Sequence, residues 1–563
     1  MAEDVWFRTE GASERRRYAP VAVVAALTVA AVTVRLYGLG ATPLLDGEAI
    51  TGMVARGLAE TGTDTLPSGQ TYGRGILLTY LARYSTALVG DGTFGLRLPV
   101  ALLSTATVPL IYAIGARTFG RRVGYVAATL QAFSLVTVAW SRTARFYALV
   151  QCFVVVAVYC YLRLDDLVDP FADTRIPTDA RFRVAVYVVG FVLAVAAAYY
   201  THTQWLVGPL VVGLALLVPD PDEPNSVVYG KLLVWAVIAL NVATLVLTQR
   251  LLVPPALFDF VPGAGGVQSV AIWEHPISRQ SPPYFFFSYY PLLTVAALAG
   301  VGVALWERTD HTWLVLIWLF APLILFTYLG ENFRFIWRPR YLLVILPPFL
   351  LLAARGLVAG SDWVVKRVDG TVLFDDTTLY RNAALALVAT GLVLTPVAQD
   401  VRATADPHAL SQLEEPQPDY QRALERMSDA RQPGDIVITN RPKKVHYWTG
   451  DVDYRGNGHT LQWSGTNNSY HTGAPALETD AEMRELIENH DRVWVVYNPF
   501  MPLSADDWIA RNMTQYAVVE SPFETRFPHG LYAQSEGIEG RMDDERVYVY
   551  TKGIETPGNA SSG

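Results

Sequence analysis

Residues 35–62 run RLYGLGATPLLDGEAITGMVARGLAETG. The stretch begins where an apolar run ends, and that run, from about Tyr18 to Leu36, is long enough to cross a bilayer. Arg15, Arg16 and Arg17 precede it and no convincing small-residue cleavage site follows. It therefore reads as a first spanning helix begun in the cytoplasm, not as a cleaved signal. Just beyond it come two acids, Asp46 and Glu48. Carboxylates beside a bilayer are costly unless they are solvated, paired or used. Asp46 stands where a helix N-cap belongs, and Glu48 falls in the first turn, where the helix dipole favours an acid. The same positions suit a catalytic carboxylate, and both roles can coexist in one residue.

Outward from this point the chain divides by solvent. Of 563 residues, 52% are hydrophobic and only 17% charged, where a soluble protein carries roughly a quarter. Apolar runs of spanning length lie at about 19–37, 95–115, 122–140, 146–163, 184–201, 204–219, 229–250, 285–306, 312–330, 341–358 and 382–399. The sequence thus predicts a polytopic α-helical membrane protein of about 11 spanning helices, with a C-terminal soluble α/β domain. With the N-terminus inside, Arg117, Arg121, Arg122, Arg163, Arg175, Arg181, Arg183, Lys231, Arg308, Arg355, Lys366, Arg367 and Arg381 fall in cytoplasmic loops, as the positive-inside rule asks. An odd number of spans leaves the C-terminal domain extracytoplasmic. The expected divisions are 1–18 as cytoplasmic N-terminus, 19–400 as membrane domain, 401–554 as extracytoplasmic α/β domain and 555–563 as a disordered tail.

From Val401 onward there are about 25 acidic against about 15 basic residues, so the negative net charge of −8 comes from there and the first 400 residues are close to neutral. An acidic balance argues against nucleic-acid partners. Lysine is scarce and arginine common, the bias of a GC-rich, salt-adapted prokaryote such as a haloarchaeon. In the acidic part, "DYQRALERMSDA" reads as an amphipathic helix and "PGDIVITN" as a turn and buried strand. "DAEMRELIENHDRVWVVYNP" reads as helix then strand, and "RVYVYTKG" as a last strand. Cys152 and Cys160 lie in one apolar run and read as small buried apolar residues.

Several polar constellations are candidates for chemistry. "SRTARFY" supplies Arg142, Arg145 and Tyr147 to an outer loop, and "ENFRFIWRPRY" supplies Glu331, Arg334, Arg338, Arg340 and Tyr341 to another. Guanidinium forks suit phosphate oxygens, while lipid-headgroup anchoring explains the same residues equally well. His202, Arg74, Glu274 and His275 are further outer-side candidates. No spacing among these acids and histidines demands a metal, and no cofactor is implied. Asp451–Asp453 reads as a turn, and sequons stand at Asn467, Asn512 and Asn559.

Together these features resemble the GT-C superfamily of membrane glycosyltransferases, and within it the family 39 group that includes protein O-mannosyltransferases and the lipid A aminoarabinose transferase. The likeness covers roughly residues 20–400. Residues 35–62 are similar to that family's entry into the first outer loop. "FGLRLPVALLSTATVPLIYAIGARTFGRRVGYVAATLQAFS", with Arg97, is similar to its second and third spans. "SRTARFYAL" and "RPRYLLVILPPFLLLAARG" match two more of its segments. The resemblance implies a polyprenyl- or dolichyl-phosphate sugar donor, a glycan, lipid or protein acceptor, and inverting transfer at the outer face of the cell membrane. It assigns Asp46 as general base and Glu48 as its acidic neighbour, although the family's acids are adjacent and Gly47 here separates them. It sets Arg142, Arg145 and Tyr147 near the active site, and Arg340, flanked by Arg338 and Tyr341, near the lipid phosphate. Two other readings compete: a lipid-linked sugar flippase or transporter, and a non-catalytic glycan-assembly protein. An oligosaccharyltransferase would be expected to carry a Trp-Trp-Asp signature, and no Trp-Trp pair occurs.

Overall fold

A computed structural model describes residues 14–167, 178–219, 225–248, 284–309, 311–325, 339–368, 418–456, 468–499, 503, 505–520 and 546–554. The expected span at 382–399, residues 249–283 (Glu274 and His275 among these) and Arg338 lie outside the described residues. The chain forms two compact units.

The first unit comprises Met1–Tyr37, Val100–Arg142 and Phe146–Ala405. The helix α1 (Glu14–Leu36) leads into it. Five described helices are long and apolar enough to cross a membrane: Tyr18–Leu36, Thr93–Thr118, Tyr147–Asp165, Ala180–Tyr199 and Arg340–Arg367. A sixth results if Arg121–Phe133 and Leu135–Ser141, bent by 52° at their junction, make one span. The sequence expects one straight span at 122–140. The break falls at Ser134, whose side chain shares a 2.5 Å hydrogen bond with the Tyr290 hydroxyl. The expected spans at 204–219, 285–306 and 312–330 correspond to shorter apolar helices, Thr203–Leu216, Pro291–Glu307 and Thr312–Ile324.

These helices pack as membrane helices do, through small residues that let backbones approach. A Cβ on Gly300 would strike the carbonyl oxygen of Leu352, and one on Gly356 would strike that of Ala296. Val24, Ala31, Val108, Tyr112, Ala116, Ala128 and Ala132 form a buried cluster among the early spans. Two buried glutamines link neighbouring helices through their amide donors. Gln131 donates to Thr107 (3.0 Å) and Gln151 (3.3 Å), and Gln151 donates to the Leu343 carbonyl (2.7 Å).

The second unit comprises Gly38–Pro99, Thr143–Arg145 and Asp406–Gly563. Its first segment holds α2 (Asp46–Glu60) and α3 (Ile76–Val89). The third segment builds a five-stranded sheet in the order β2-β1-β3-β5-β4, from β1 (Ile436–Thr439), β2 (Tyr454–Arg455), β3 (Val493–Tyr497), β4 (Thr514–Val519) and β5 (Val547–Lys552). The strand β1 pairs in parallel with β2 and β3, while β5 runs antiparallel to β3 and β4. Every residue of β3 is buried, as a strand covered on both faces requires. Val493, Val495 and Tyr497 join Met483, Ile487 and Ile509 on one side. Trp494 and Val496 join Tyr420, Leu424 and Met427 on the other. The helix Asp480–Asn489 carries a capping box in which Thr479 and Glu482 accept from each other's backbone N–H.

Candidate active site

The first acidic candidate sits at the start of α2 in the second unit. Its N-cap is Leu45, whose side chain cannot accept a hydrogen bond. The capping role that the sequence offered to Asp46 falls to Glu48, whose carboxylate accepts from Leu45 N–H at 2.9 Å. Glu48 is fully buried and its other bonds come from Arg97 Nε and Nη2, both at 2.7 Å, and from Ala144 N–H at 2.6 Å. Arg97, also fully buried, donates further to the Leu39, Thr42 and Pro43 carbonyls. Burial raises the carboxyl pKa of Glu48, but the Arg97 charge and these hydrogen bonds outweigh it and hold it below the carboxylate range. Both oxygens are thus committed to tying together the loop before α2, α2 itself, the helix carrying Arg97 and the Ala144 segment.

Asp46 is placed differently. Its side chain is 24% exposed, and its partners are cations from the C-terminal segment. Arg441 Nη1 donates to Oδ2 at 3.0 Å, and the Nζ atoms of Lys443 and Lys444 lie 3.9 and 4.0 Å from its oxygens. These three residues begin the helix Pro442–Thr449, which packs on α2: a Cβ on Gly52 would strike the Tyr447 ring, and the Arg56 guanidinium stacks 4.1 Å over that ring. Burial pushes the Asp46 carboxyl up. The charges of Arg441, Lys443 and Lys444 and the Arg441 hydrogen bond overcome that and hold it well below the usual range. Arg455, His471 and Tyr420 also feel the Asp46 charge. Burial, aided by Lys443, pushes His471 down to about 3, so its ring is neutral.

Gly47, the residue between the two acids, has a steric reason. The Arg145 guanidinium lies over it, donating to its carbonyl at 2.9 Å, and a Cβ there would come within 2.7 Å of Arg145 Cζ. Arg145 is therefore fixed against the first turn of α2. Arg74 is exposed, and its charge reaches His471.

In the first unit, Arg142 is buried and donates to the Val34, Arg35 and Tyr37 carbonyls at 3.0, 3.1 and 2.6 Å. These are the orphan acceptors of the end of α1, so this guanidinium closes a helix end. Tyr147, His202, Arg340 and Tyr341 come together. His202 stacks between Phe146 (4.5 Å between centroids) and Tyr341 (6.0 Å), and Tyr147 meets Trp140, His202 and Tyr341 edge-on. The Arg340 guanidinium lies 5.6 Å from the Trp140 and Tyr147 rings. The segment Pro339–Ile345 is a 3-10 helix, whose carbonyls need outside donors. Gln204 serves Tyr341 at 2.6 Å and Trp318 serves Val344 at 3.1 Å. His202 Nδ1 accepts from Gln204 N–H at 3.3 Å, which leaves the ring proton on Nε2.

Among the described residues, no three His, Cys, Asp or Glu side chains converge as metal ligands would. Asp451 and Asp453 are used structurally. Asp451 pairs with Arg431 at 2.8 Å and Asp453 accepts from Val437 N–H at 2.7 Å.

A polytopic, mainly helical membrane protein with an acid-and-arginine constellation of this kind resembles the GT-C membrane glycosyltransferases. Residues 73–169 match the family described as dolichyl-phosphate-mannose-protein mannosyltransferase, and residues 205–444 match a family of unknown function (DUF6541). No curated protein matches by sequence. Among solved structures, ArnT from Cupriavidus metallidurans in the apo state is similar with a TM-score of 0.52 at 14% identity, covering 95% of this chain and 98% of that one. The same protein bound to undecaprenyl phosphate gives 0.53 at 12%, covering 94% and 97%. The archaeal oligosaccharyltransferase AglB from Archaeoglobus fulgidus, in complex with an inhibitory peptide and a dolichol-phosphate, gives 0.56 at 12%, covering 87% and 70%. At such identities the likeness is one of fold.

Proposed function

We propose that the protein transfers a sugar from a polyprenyl-phosphate donor to an acceptor hydroxyl at the extracytoplasmic face of the cell membrane, with Asp46 as general base and inversion at the anomeric carbon. The observation that carries the reading is the contrast between the two acids. Glu48 has both oxygens saturated by Arg97 and backbone N–H groups. Asp46 is partly exposed and kept ionised by cations. An ionised carboxylate that reaches solvent can accept a proton; a saturated one cannot. The fold likeness to proteins solved with undecaprenyl phosphate and dolichol-phosphate supports the donor class.

In this mechanism the acceptor hydroxyl gives its proton to Asp46 while its oxygen attacks the anomeric carbon. The bond from that carbon to the phosphate oxygen breaks, and the polyprenyl phosphate leaves with the electron pair. Guanidinium and ammonium groups stabilise the charge that grows on it. Arg145, held against the first turn of α2, is one such group. No metal step is invoked.

The test is transfer in vitro by the purified chain from a panel of polyprenyl-phosphate sugars. Asp46→Asn is expected to lower kcat by at least a hundredfold, the scale of lost general-base catalysis. Transfer at the wild-type rate by that variant removes Asp46 as the base.

A further inference from the structure

We infer that Arg441, Lys443 and Lys444 form the seat of the donor's phosphate, which Asp46 fills in the donor-free protein. The inference rests on the Asp46 reading above and names its anionic neighbour. The chain has five lysines, at 231, 366, 443, 444 and 552. Two of them stand together in the first turn of one helix, with Arg441 as its N-cap. The positive end of a helix dipole repels cations and attracts anions. Three cations at that end are therefore unfavourable unless an anion lies among them. The anion in the structure is the Asp46 carboxylate, within 3.0 to 4.0 Å of all three, and the Arg455 charge reaches it as well.

The donor's phosphodiester suits this position as a carboxylate does. It offers two non-bridging oxygens and one negative charge, gains a second charge as the polyprenyl phosphate departs, and matches both the arginine fork and the lysine point charges. When it enters, the Arg441–Asp46 ion pair exchanges for an Arg441–phosphate pair. The released carboxylate then lies beside the donor and is available to the acceptor hydroxyl. Tying the base up in the absence of donor and freeing it on binding couples donor occupancy to base activity through one ion-pair exchange.

The experiment measures binding of sugar-free polyprenyl phosphate to the full chain in detergent, with phosphatidate as a second phosphomonoester lipid. Lys443→Gln/Lys444→Gln is expected to weaken polyprenyl phosphate binding by tenfold or more. Because Lys444 is buried, Lys443→Gln alone, at a part-exposed position, supplies the same test with a smaller loss, and Lys443→Arg restores binding. Asp46→Asn is expected to bind polyprenyl phosphate several-fold more tightly, since its seat is no longer filled by a competing anion. Unchanged affinity in both lysine variants overturns the proposal, as does an Asp46→Asn affinity equal to or weaker than wild type. Phosphatidate binding as tight as polyprenyl phosphate, with the same response to the variants, also overturns it, because the cluster would then be a general headgroup anchor. Loss of transfer in Asp46→Asn without tighter binding sinks this inference alone; retained transfer sinks the base assignment.

Discussion

At the scale of single residues, the two carboxylates that the sequence singles out are two residues apart and do different work. Their presence beyond the first span was legible because acids there need a reason. Their division of labour was not, because it depends on Arg97, 49 positions away from Glu48, and on Arg441, 395 positions away from Asp46. Removing Glu48 strands a buried guanidinium. Glu48→Ala is expected to cost about 3–5 kcal/mol, read as a lower midpoint in a thermal melt in detergent. Glu48→Leu combined with Arg97→Met should recover much of that loss, and a melt unchanged by Glu48→Ala would refute the pairing. The Asp46 prediction is one of pH. Its pKa is depressed in the folded state, so the carboxylate is ionised and its ion pair intact above the ordinary value of about 3.9; both are lost only as pH falls through the lower folded value. The wild-type kcat/KM profile should therefore show no acidic limb from Asp46 above about pH 4. In Arg441→Gln the limb should move upward, and a profile unmoved by that change would show that Arg441 does not set the charge of Asp46.

At the scale of elements, most helices and strands could be read from periodicity. The amphipathic helix at 420–428 and the strands at 436–439, 493–497 and 547–552 fall within the stretches quoted for them. The helix Ile76–Val89 was not foreseen: 14 residues, Arg83 among them, are too few to span and carry no alternation that marks a strand. Loop arginines proved the hardest to read. Arg142 looks like a phosphate ligand by type, yet it serves the carbonyl end of α1, and only the fold shows that the helix ends beneath it. Arg142→Ala takes this donor from the carbonyls at the end of α1, the buried one of Arg35 among them, and is expected to cost about 1–3 kcal/mol of stability. The same variant should leave the KM for the polyprenyl-phosphate sugar unchanged. A raised KM with an unaltered melt would restore the phosphate-binding role that its residue type suggests.

At the scale of the whole molecule, the second unit is assembled from stretches far apart in sequence: Gly38–Pro99, Thr143–Arg145 and Asp406–Gly563. A reading along the chain draws one boundary near residue 400, because hydropathy changes there, and assigns the first outer loop to the membrane part. Packing groups that loop with the C-terminal sheet instead. Apolar side chains of α2 and the ring of Tyr447 share one buried cluster, and ion pairs do not respect sequence order. If that grouping is what makes the site, covalent continuity between the stretches is dispensable. A protease site placed near Pro407 in the full chain and cut after folding should leave two fragments that co-elute in detergent. Transfer should persist, and Arg56, stacked on Tyr447, should stay protected from trypsin. Adding Tyr447→Ala or Arg441→Glu to the cut protein should release the C-terminal fragment, open Arg56 to cleavage and end transfer together. A C-terminal fragment that dissociates while transfer continues would mean that the sheet and its cations are not part of the working site.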